Sequence, residues 1–187
     1  MEVEAKGANE RLNNLVAITV VVISVFMALS NIKSGNNGQA MALATASAVD
    51  TWSEYQATRL KQHLAENALA QLALSAGQTG ANAALVSAEH VRLDAAIKKY
   101  TAKSATLMAQ AKGFEAEYNT LNMHDDQFDM AEAFLSMALA LAAVAVFTNL
   151  PWLLYVSWGV SGIGFVMGLA GFLKLNLHSE FVANLLG

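Results

Sequence analysis

The residues best suited to chemistry lie close together, where one histidine is followed by four carboxylic acids. They are His124, Asp125, Asp126, Asp129 and Glu132. Clustered carboxylate oxygens suit hard divalent cations, and a carboxylate at the edge of a hydrocarbon layer can take up a proton. Acids in front of a helix also cap its free N–H groups and complement the positive end of its dipole. We expect capping to explain most of these acids, and Glu132 is the strongest candidate for metal or proton binding.

The sequence lacks the spacings that common catalytic sites require. It contains no HExxH, GxSxG or P-loop motif, and it has no cysteine for nucleophilic, zinc or iron–sulfur chemistry. A formal net charge of -4 opposes nucleic-acid binding, which needs a basic face. We therefore expect no enzymatic activity, no cofactor and no nucleic-acid partner.

Three apolar segments are long enough to cross a bilayer. The chain is 55% hydrophobic and 14% charged, whereas soluble domains carry roughly 25% charged residues. A membrane-spanning helix needs about 20 apolar residues, which predicts transmembrane helices over residues 12–33, 129–148 and 151–174. The length of the first segment favours a retained anchor over a cleaved signal peptide. The short connection between the last two forces an antiparallel helical pair.

Residues 34–128 predict an extramembrane helical hairpin, because most of this stretch is rich in the helix formers Ala, Gln, Lys and Glu. Residues 34–38 (SGNNG) predict a break or kink, and a turn is expected near residues 75–82. The second arm has a seam with alternating spacings of four and three, typical of a coiled coil. The seam comprises Val86, His90, Leu93, Ile97, Tyr100, Ser104, Leu107, Ala111, Phe114, Tyr118 and Leu121. The predicted fold is an all-α membrane protein with three transmembrane helices and a coiled-coil-like hairpin between the first and second.

Two features predict that copies of the chain associate. The first arm has a stripe whose period is nearer four than 3.5, so it matches the seam poorly and favours packing against a neighbouring subunit. This stripe comprises Val49, Trp52, Leu60, Leu64, Ala68 and Leu72. Small residues allow membrane helices to approach closely, and the last two spans contain Gly164, Gly168, Ala138 and Ala142. These small residues serve either packing within the chain or contact between copies.

An interaction surface is possible on the first arm of the hairpin. Aromatic and basic residues cluster there at Trp52, Tyr55, Arg59 and His63. At helical spacing, such a set is more often core on one face and solvated charge on the other.

Outside the spans, residues 1–11 form an N-terminal tail, and residues 175–187 form an amphipathic tail that suits an interfacial helix or a packed terminus.

Residues 52–63 (WSEYQATRLKQH) and 124–132 (HDDQFDMAE), together with the short helical pair and its tryptophans, resemble the bacterial DUF4337 proteins, a family of unknown function. The first segment is similar to the family's W-x-x-Y-Q-A-K-x-x-K stretch, with Thr58 where Lys is frequent. The second is similar to its acidic H-x-x-F-D-x-G-E stretch, with Ala131 where Gly is frequent. The resemblance implies a bacterial inner-membrane protein and supplies no activity.

Two functions follow from these features. The first is a homo-oligomeric helical scaffold or interaction protein in the bilayer. The alternative is a subunit of an oligomeric ion channel or transporter, with an acidic ring at the start of the second span. Basic residues around the first span give only a slight orientation bias. Members of the resembled family often carry an arginine-rich turn between the last two spans, which implies a cytoplasmic N-terminus and a periplasmic hairpin, but this chain has Thr148, Asn149 and Leu150 there.

Overall fold

The protein is helical throughout the part of the chain that the computed structural model describes, namely residues 2–76 and 83–175, with side chains from residue 10 onward. Helix α1 covers Glu2–Ala76, α2 covers Ala83–Thr148 and α3 covers Pro151–Phe172. Each helix contains a segment long and apolar enough to cross a membrane. The prediction of an all-helical chain with three such segments is confirmed.

The break predicted at residues 34–38 does not occur, because α1 continues through them as helix. Each glycine costs a helix about 1 kcal/mol relative to alanine. Contacts offset that cost here, since Asn37 is only 7% exposed and the Ser34 hydroxyl donates a hydrogen bond to Asp125. The turn predicted near 75–82 and the amphipathic tail lie mostly outside the described residues.

The chain forms two compact units, of which the first contains Met1–Met41 and Asn119–Gly187. Its three helix segments bury two apolar clusters. One combines Leu12 and Val16 of α1 with Leu154 of α3 and two alanines of α2. The other is built on Ile23, Leu135 and Ala138, with Phe26 and Phe165 packed against it. Large apolar side chains also cover the outside of this unit, where Val21 is 61% exposed and Val166 is 58% exposed.

A tight turn joins α2 to α3. The backbone N–H of Asn149 bonds to the carbonyl of Val146, and that of Leu150 bonds to the carbonyl of Ala145. Together with the positive φ of 53° at Asn149, this is the Schellman arrangement that ends many helices. Asparagine tolerates this left-handed conformation better than most side chains. Pro151 then begins α3, where its missing N–H has no cost.

The second unit is Ala42–Tyr118, in which α1 and α2 run in opposite directions. Lys103 pairs with Glu54 at 2.6 Å, and the Trp52 indole N–H donates to Glu115 over 2.8 Å. On α2 the predicted seam faces inward at four of its positions, which are Leu93, Ser104, Leu107 and Ala111.

The inward face of α1 in this unit excludes three residues of the first-arm stripe. Val49, Leu60 and Leu64 are each about three-fifths exposed, at 59%, 61% and 59%. The buried residues are small or polar: Ala44, Ala48, Thr58, Gln62 and Ala65. Their separations of 4, 10, 4 and 3 fit the same 3.5-residue period as the α2 seam. The residues that permit close helix contact are smaller than those left outside, so hydropathy alone does not identify the inward face.

The glycines of α3 give a direct test of the packing in the first unit. A Cβ added at Gly164 would lie 2.8 Å from Leu135 Cγ and 3.1 Å from the Ala131 carbonyl oxygen, whereas one at Gly162 would meet nothing within 4 Å. We therefore expect Gly164→Ala to lower the unfolding free energy by about 1–3 kcal/mol through overpacking. Gly162→Ala is the matched control, and it should be neutral or slightly stabilising. Steric-trapping unfolding in bicelles measures both, and equal effects would contradict this packing.

Candidate functional site

The acidic stretch lies far inside α2, which begins at Ala83. Its N–H groups therefore have helical partners, and the expected capping role is wrong. The side chains point in different directions around the helix: His124 is buried, Asp125 and Asp126 are half-buried, and Asp129 and Glu132 are exposed. Among the residues that the structure describes, no three His, Asp or Glu side chains come close enough to hold a metal ion. Metal or proton binding at these residues stays a prediction.

The inward side of this stretch takes part in a polar layer that links all three helices. We call Ser34, His124, Asp125 and Gln127 the polar layer. The Ser34 hydroxyl donates to Asp125 Oδ1 over 2.8 Å, and the Gln127 amide donates to the Leu175 carbonyl just after α3 over 2.8 Å. His124 Nδ1 lies 3.5 Å from Gln127 Oε1. Because Gln127 is 1% exposed and His124 is 7% exposed, these bonds replace hydration that the side chains have lost.

One buried hydroxyl lies one helical turn before the polar layer. Ser30 is 1% exposed, and its Oγ has no hydrogen-bond partner among the described residues. A buried polar atom left unpaired costs about 1–3 kcal/mol. Ser30 therefore adds no stability through hydrogen bonding.

The four small residues proposed for close packing, Ala138, Ala142, Gly164 and Gly168, all pack against other helices of the same chain. Ala138 and Ala142 are fully buried. A Cβ at Gly168 would fall 2.6 Å from the Phe26 ring, and Gly164 packs on Ala131 and Leu135. These residues bring α2 and α3 together, and they are already covered without a second copy.

Hydrogen bonding reinforces the same helix contact. The Ser157 hydroxyl donates to the Ala138 carbonyl oxygen over 2.7 Å, and Ser157 is fully buried. On the outside, the Trp158 indole N–H donates to the Thr19 hydroxyl over 2.9 Å, which ties α3 to α1. Both bonds connect neighbouring helices within the first unit.

The seam residues divide between the two units. In the second unit Leu93 and Leu107 are 6% exposed, and Ile97, Tyr100 and Phe114 are half-buried, whereas Tyr118 is 36% exposed. Leu121 belongs to the first unit, where it is half-buried. The centre of the seam is thus covered within the chain.

The aromatic and basic residues of the first arm divide between a helix contact and a partly buried hydrogen-bond chain. Trp52 and Tyr55 meet edge to face with ring centroids 5.3 Å apart. Arg59 donates to the Gln62 side chain, which in turn donates to Glu66.

The exposed end of this chain is His63, which lies 3.0 Å from Glu66. The hydrogen bond from Gln62, followed by that from His63, holds the pKa of Glu66 below its ordinary value. Removing Gln62 would therefore let that pKa rise toward its ordinary value.

Sequence reasoning missed Ser34, Gln127, Ser157 and Gly171, although one signal was available. In α3 the buried residues other than Ala170 repeat at spacings of three and four, namely Leu154, Ser157, Ser161, Gly164, Gly168 and Gly171. Small residues at that spacing indicate a packed helix face. A Cβ at Gly171 would lie 2.8 Å from the Phe128 ring. Ser34 and Gln127 carry no comparable signal, because their partners are distant in sequence.

The Ser34–Asp125 bond can be tested by a double-mutant cycle with Ser34→Ala and Asp125→Ala. A hydrogen bond to a charged group contributes about 1.5 kcal/mol or more, so we expect a coupling free energy near that value. The control is Glu117→Ala, an exposed acid on the same helix outside the proposed spans, which should change stability by no more than about 0.5 kcal/mol. Additive effects of the first pair in urea unfolding would show that the bond contributes nothing.

The comparisons with known proteins agree with the resemblance found in the two motifs. Neither the curated proteins nor the solved structures include one similar enough to match. A family model described as a domain of unknown function matches residues 12–174, which include the acidic stretch, the polar layer and all three helices. The chain belongs to the DUF4337 family.

Proposed function

We propose that this chain is a homo-oligomeric helical scaffold of the bacterial inner membrane that presents a surface to protein partners and has no catalytic activity. The observation that carries the proposal is the exposure of Asp129 and Glu132 on the outer face of α2 in the first unit. The roughly 20 residues that a span requires, counted back from the end of α2 at Thr148, reach Asp129. Both carboxylates then fall within or at the edge of the hydrocarbon.

A carboxylate that faces lipid is costly and normally turns toward protein or water. Association of several copies would turn the outer face of α2 away from lipid and toward the polar groups of neighbouring subunits. The rest of this face supports such contact, since Ser136, Ala140 and Ala143 are also exposed and small. Small residues let helices from different subunits approach closely.

Other outward faces of the first unit, on α1 and α3, are apolar and suit contact with lipid. Ile18 and Val21 of α1 are 62% and 61% exposed, and Val166 of α3 is 58% exposed. Branched apolar side chains of this kind suit contact with acyl chains. We propose that residues 12–33, 129–148 and 151–174 cross the membrane, with the N-terminus cytoplasmic and the second unit, as a coiled-coil hairpin, on the periplasmic side.

The same exposed acids favour a second candidate, a subunit of a cation channel or transporter. Copies arranged around an axis would bring Asp129 and Glu132 into a ring, and acidic rings select cations. The hydroxyl groups of α3 oppose this candidate. Ser157 and Ser161 bond to carbonyl oxygens within the unit, so they offer little to a passing ion.

The oligomer is tested by enlarging the small face of α2. Ala140→Phe should raise the dissociation constant about tenfold or more, because a bulky ring separates the packed backbones. Val21→Phe is the matched control, since it places the same ring on an exposed position of α1, where lipid accommodates it. Mass measurement in nanodiscs reads the copy number of each variant. A monomeric wild-type chain would overturn both candidate functions.

The channel is tested by cation flux in liposomes. The scaffold proposal predicts flux no higher than in empty liposomes, and no change with Glu132→Gln or Asp129→Asn. A wild-type cation leak that both variants reduce would replace the scaffold with the channel. Glu117→Gln is the control, because Glu117 is an exposed acid of the same helix that belongs to the second unit and lies outside residues 129–148.

A further inference from the structure

The end of the first unit at the turn between α2 and α3 carries exposed aromatic side chains. On α3, Trp152, Tyr155 and Trp158 are 58%, 64% and 40% exposed. At the end of α2, Phe147 is 86% exposed. We call these four residues the aromatic end. Residues 133–173, which include them all, contain no Asp, Glu, Lys or Arg. Exposed aromatic residues without charged neighbours along the chain are typical of the boundary between lipid and water.

The polar atoms of these side chains are satisfied differently along α3. Trp158 donates its indole N–H to the Thr19 hydroxyl of α1 over 2.9 Å, and Thr19 itself donates to the Leu15 carbonyl oxygen. Within the part of the chain that the structure describes, neither the Trp152 indole N–H nor the Tyr155 hydroxyl has a hydrogen-bond partner. A polar group in hydrocarbon needs a partner in the protein, whereas one at the headgroups can bond to lipid or water. The difference indicates that the edge of the hydrocarbon lies between these side chains.

Helix α1 changes from polar to apolar at a similar height. Asn13 and Asn14 are exposed, and Leu15 begins the run of exposed apolar side chains. In this unit α1 and α3 run in the same direction, and the Trp158–Thr19 bond fixes their relative height. Asn14 lies about 7.5 Å from Thr19 along α1, toward the turn. Because an exposed amide is costly in hydrocarbon, the hydrocarbon should end within about 7.5 Å of this bond on the side of the turn.

The opposite ends of the apolar segments give nearly the same height. Lys33 is the first charged residue after the apolar segment of α1, and Lys174 is the first after that of α3. Lys174 lies about 24 Å from Trp158 along α3, and Lys33 lies about 21 Å from Thr19 along α1. A hydrocarbon layer of about 30 Å that begins at the two lysines therefore ends about 6–9 Å past the Trp158–Thr19 bond.

We propose that the aromatic end is a lipid-anchoring surface, which holds the first unit at the boundary between the headgroups and the hydrocarbon of a phospholipid bilayer. Trp152 and Tyr155 lie about 9 and 4.5 Å past the bond of Trp158 to α1, on either side of that boundary. Helical side chains lean toward the N-terminus of their helix, so both lean toward the headgroups. Their N–H and O–H groups donate to phosphate or ester carbonyl oxygens, and the Phe147 ring inserts beside them.

The inference rests on the proposed function, because it requires residues 151–174 to cross the membrane. It adds the height at which the bilayer ends on the first unit and the residues that contact the headgroups. A phospholipid fits the aromatic end better than a protein partner does. The unpaired donors lie only at the height of the boundary, and the donor below it is satisfied within the chain.

Quenching by brominated phosphatidylcholine tests the height directly, because the chain contains three tryptophans. Trp52→Phe with Trp158→Phe leaves Trp152 alone, and Trp52→Phe with Trp152→Phe leaves Trp158 alone. In phosphatidylcholine–phosphatidylglycerol vesicles, we expect bromines near the headgroup end of the acyl chains to quench Trp152 best. Trp158 should lie about 9 Å deeper. Trp52, retained alone in the second unit, is the control and should not be quenched.

Photo-crosslinking tests the occupant. A photoreactive phenylalanine analogue in place of Phe147 should give a product with a clickable phospholipid in the same vesicles. The same analogue in place of Lys112, an exposed residue of α2 in the second unit, is the matched control and should give none. A Phe147 product that contains only a second copy of the chain would overturn the lipid anchor.

Failure of this inference differs from failure of the proposed function. Quenching that finds Trp152 at the same depth as Trp158, or deeper, overturns the anchor and leaves the membrane spans in place. Absence of quenching at both positions overturns the spans as well, and the proposed function with them. The copy number in nanodiscs tests the scaffold separately from both results.

Discussion

Close approach of helices through small side chains is the constraint on which both units depend. In the first unit, Gly164 and Gly168 of α3 leave no room for a Cβ against α2 and α1, and Ser157 bonds directly to the Ala138 carbonyl oxygen. In the second unit, α1 turns Ala44, Ala48 and Ala65 toward its neighbour. Small side chains let the helix backbones approach closely, which adds dispersion contacts along the length of the helices. Large apolar residues are consequently displaced to the outside.

The exposed apolar side chains of the two units have different expected surroundings. In the first unit, exposed side chains such as Ile18 and Val21 suit a hydrocarbon surrounding, where apolar exposure costs nothing. In the second unit, Leu60 and Leu64 are exposed to a similar degree in the arm predicted to lie in water. Each exposed leucine there leaves about 1–2 kcal/mol of possible burial free energy unused, since only about three-fifths of its side chain is exposed. The same packing rule therefore leaves large apolar side chains on the outside of both units.

The sequence predicts the number of helices and the fold class well. It predicts less well which face of each helix is buried and where a helix is interrupted. Apolar length identifies the three spans, and the short connection around Asn149 predicts the paired helices α2 and α3, because both depend on local composition and chain length. Hydropathy, in contrast, favours Leu60 over Ala65 as a core residue, although the smaller side chain is the buried one. Two glycines suggest a break where contacts of Ser34 and Asn37 keep α1 helical. Those contacts join residues distant in sequence, and a single sequence read locally does not contain them.

The acidic stretch shows how helix continuity changes a functional interpretation. At the start of a helix, its carboxylates would need no explanation beyond capping. Inside α2, each needs a separate one: Asp125 accepts a hydrogen bond from Ser34, whereas Glu132 faces outward beside the apolar residues that follow it. An outward carboxylate and an outward leucine stripe have opposite chemistry, yet each is unfavourable in its expected surroundings. The proposed association of copies would turn the outward carboxylates away from lipid.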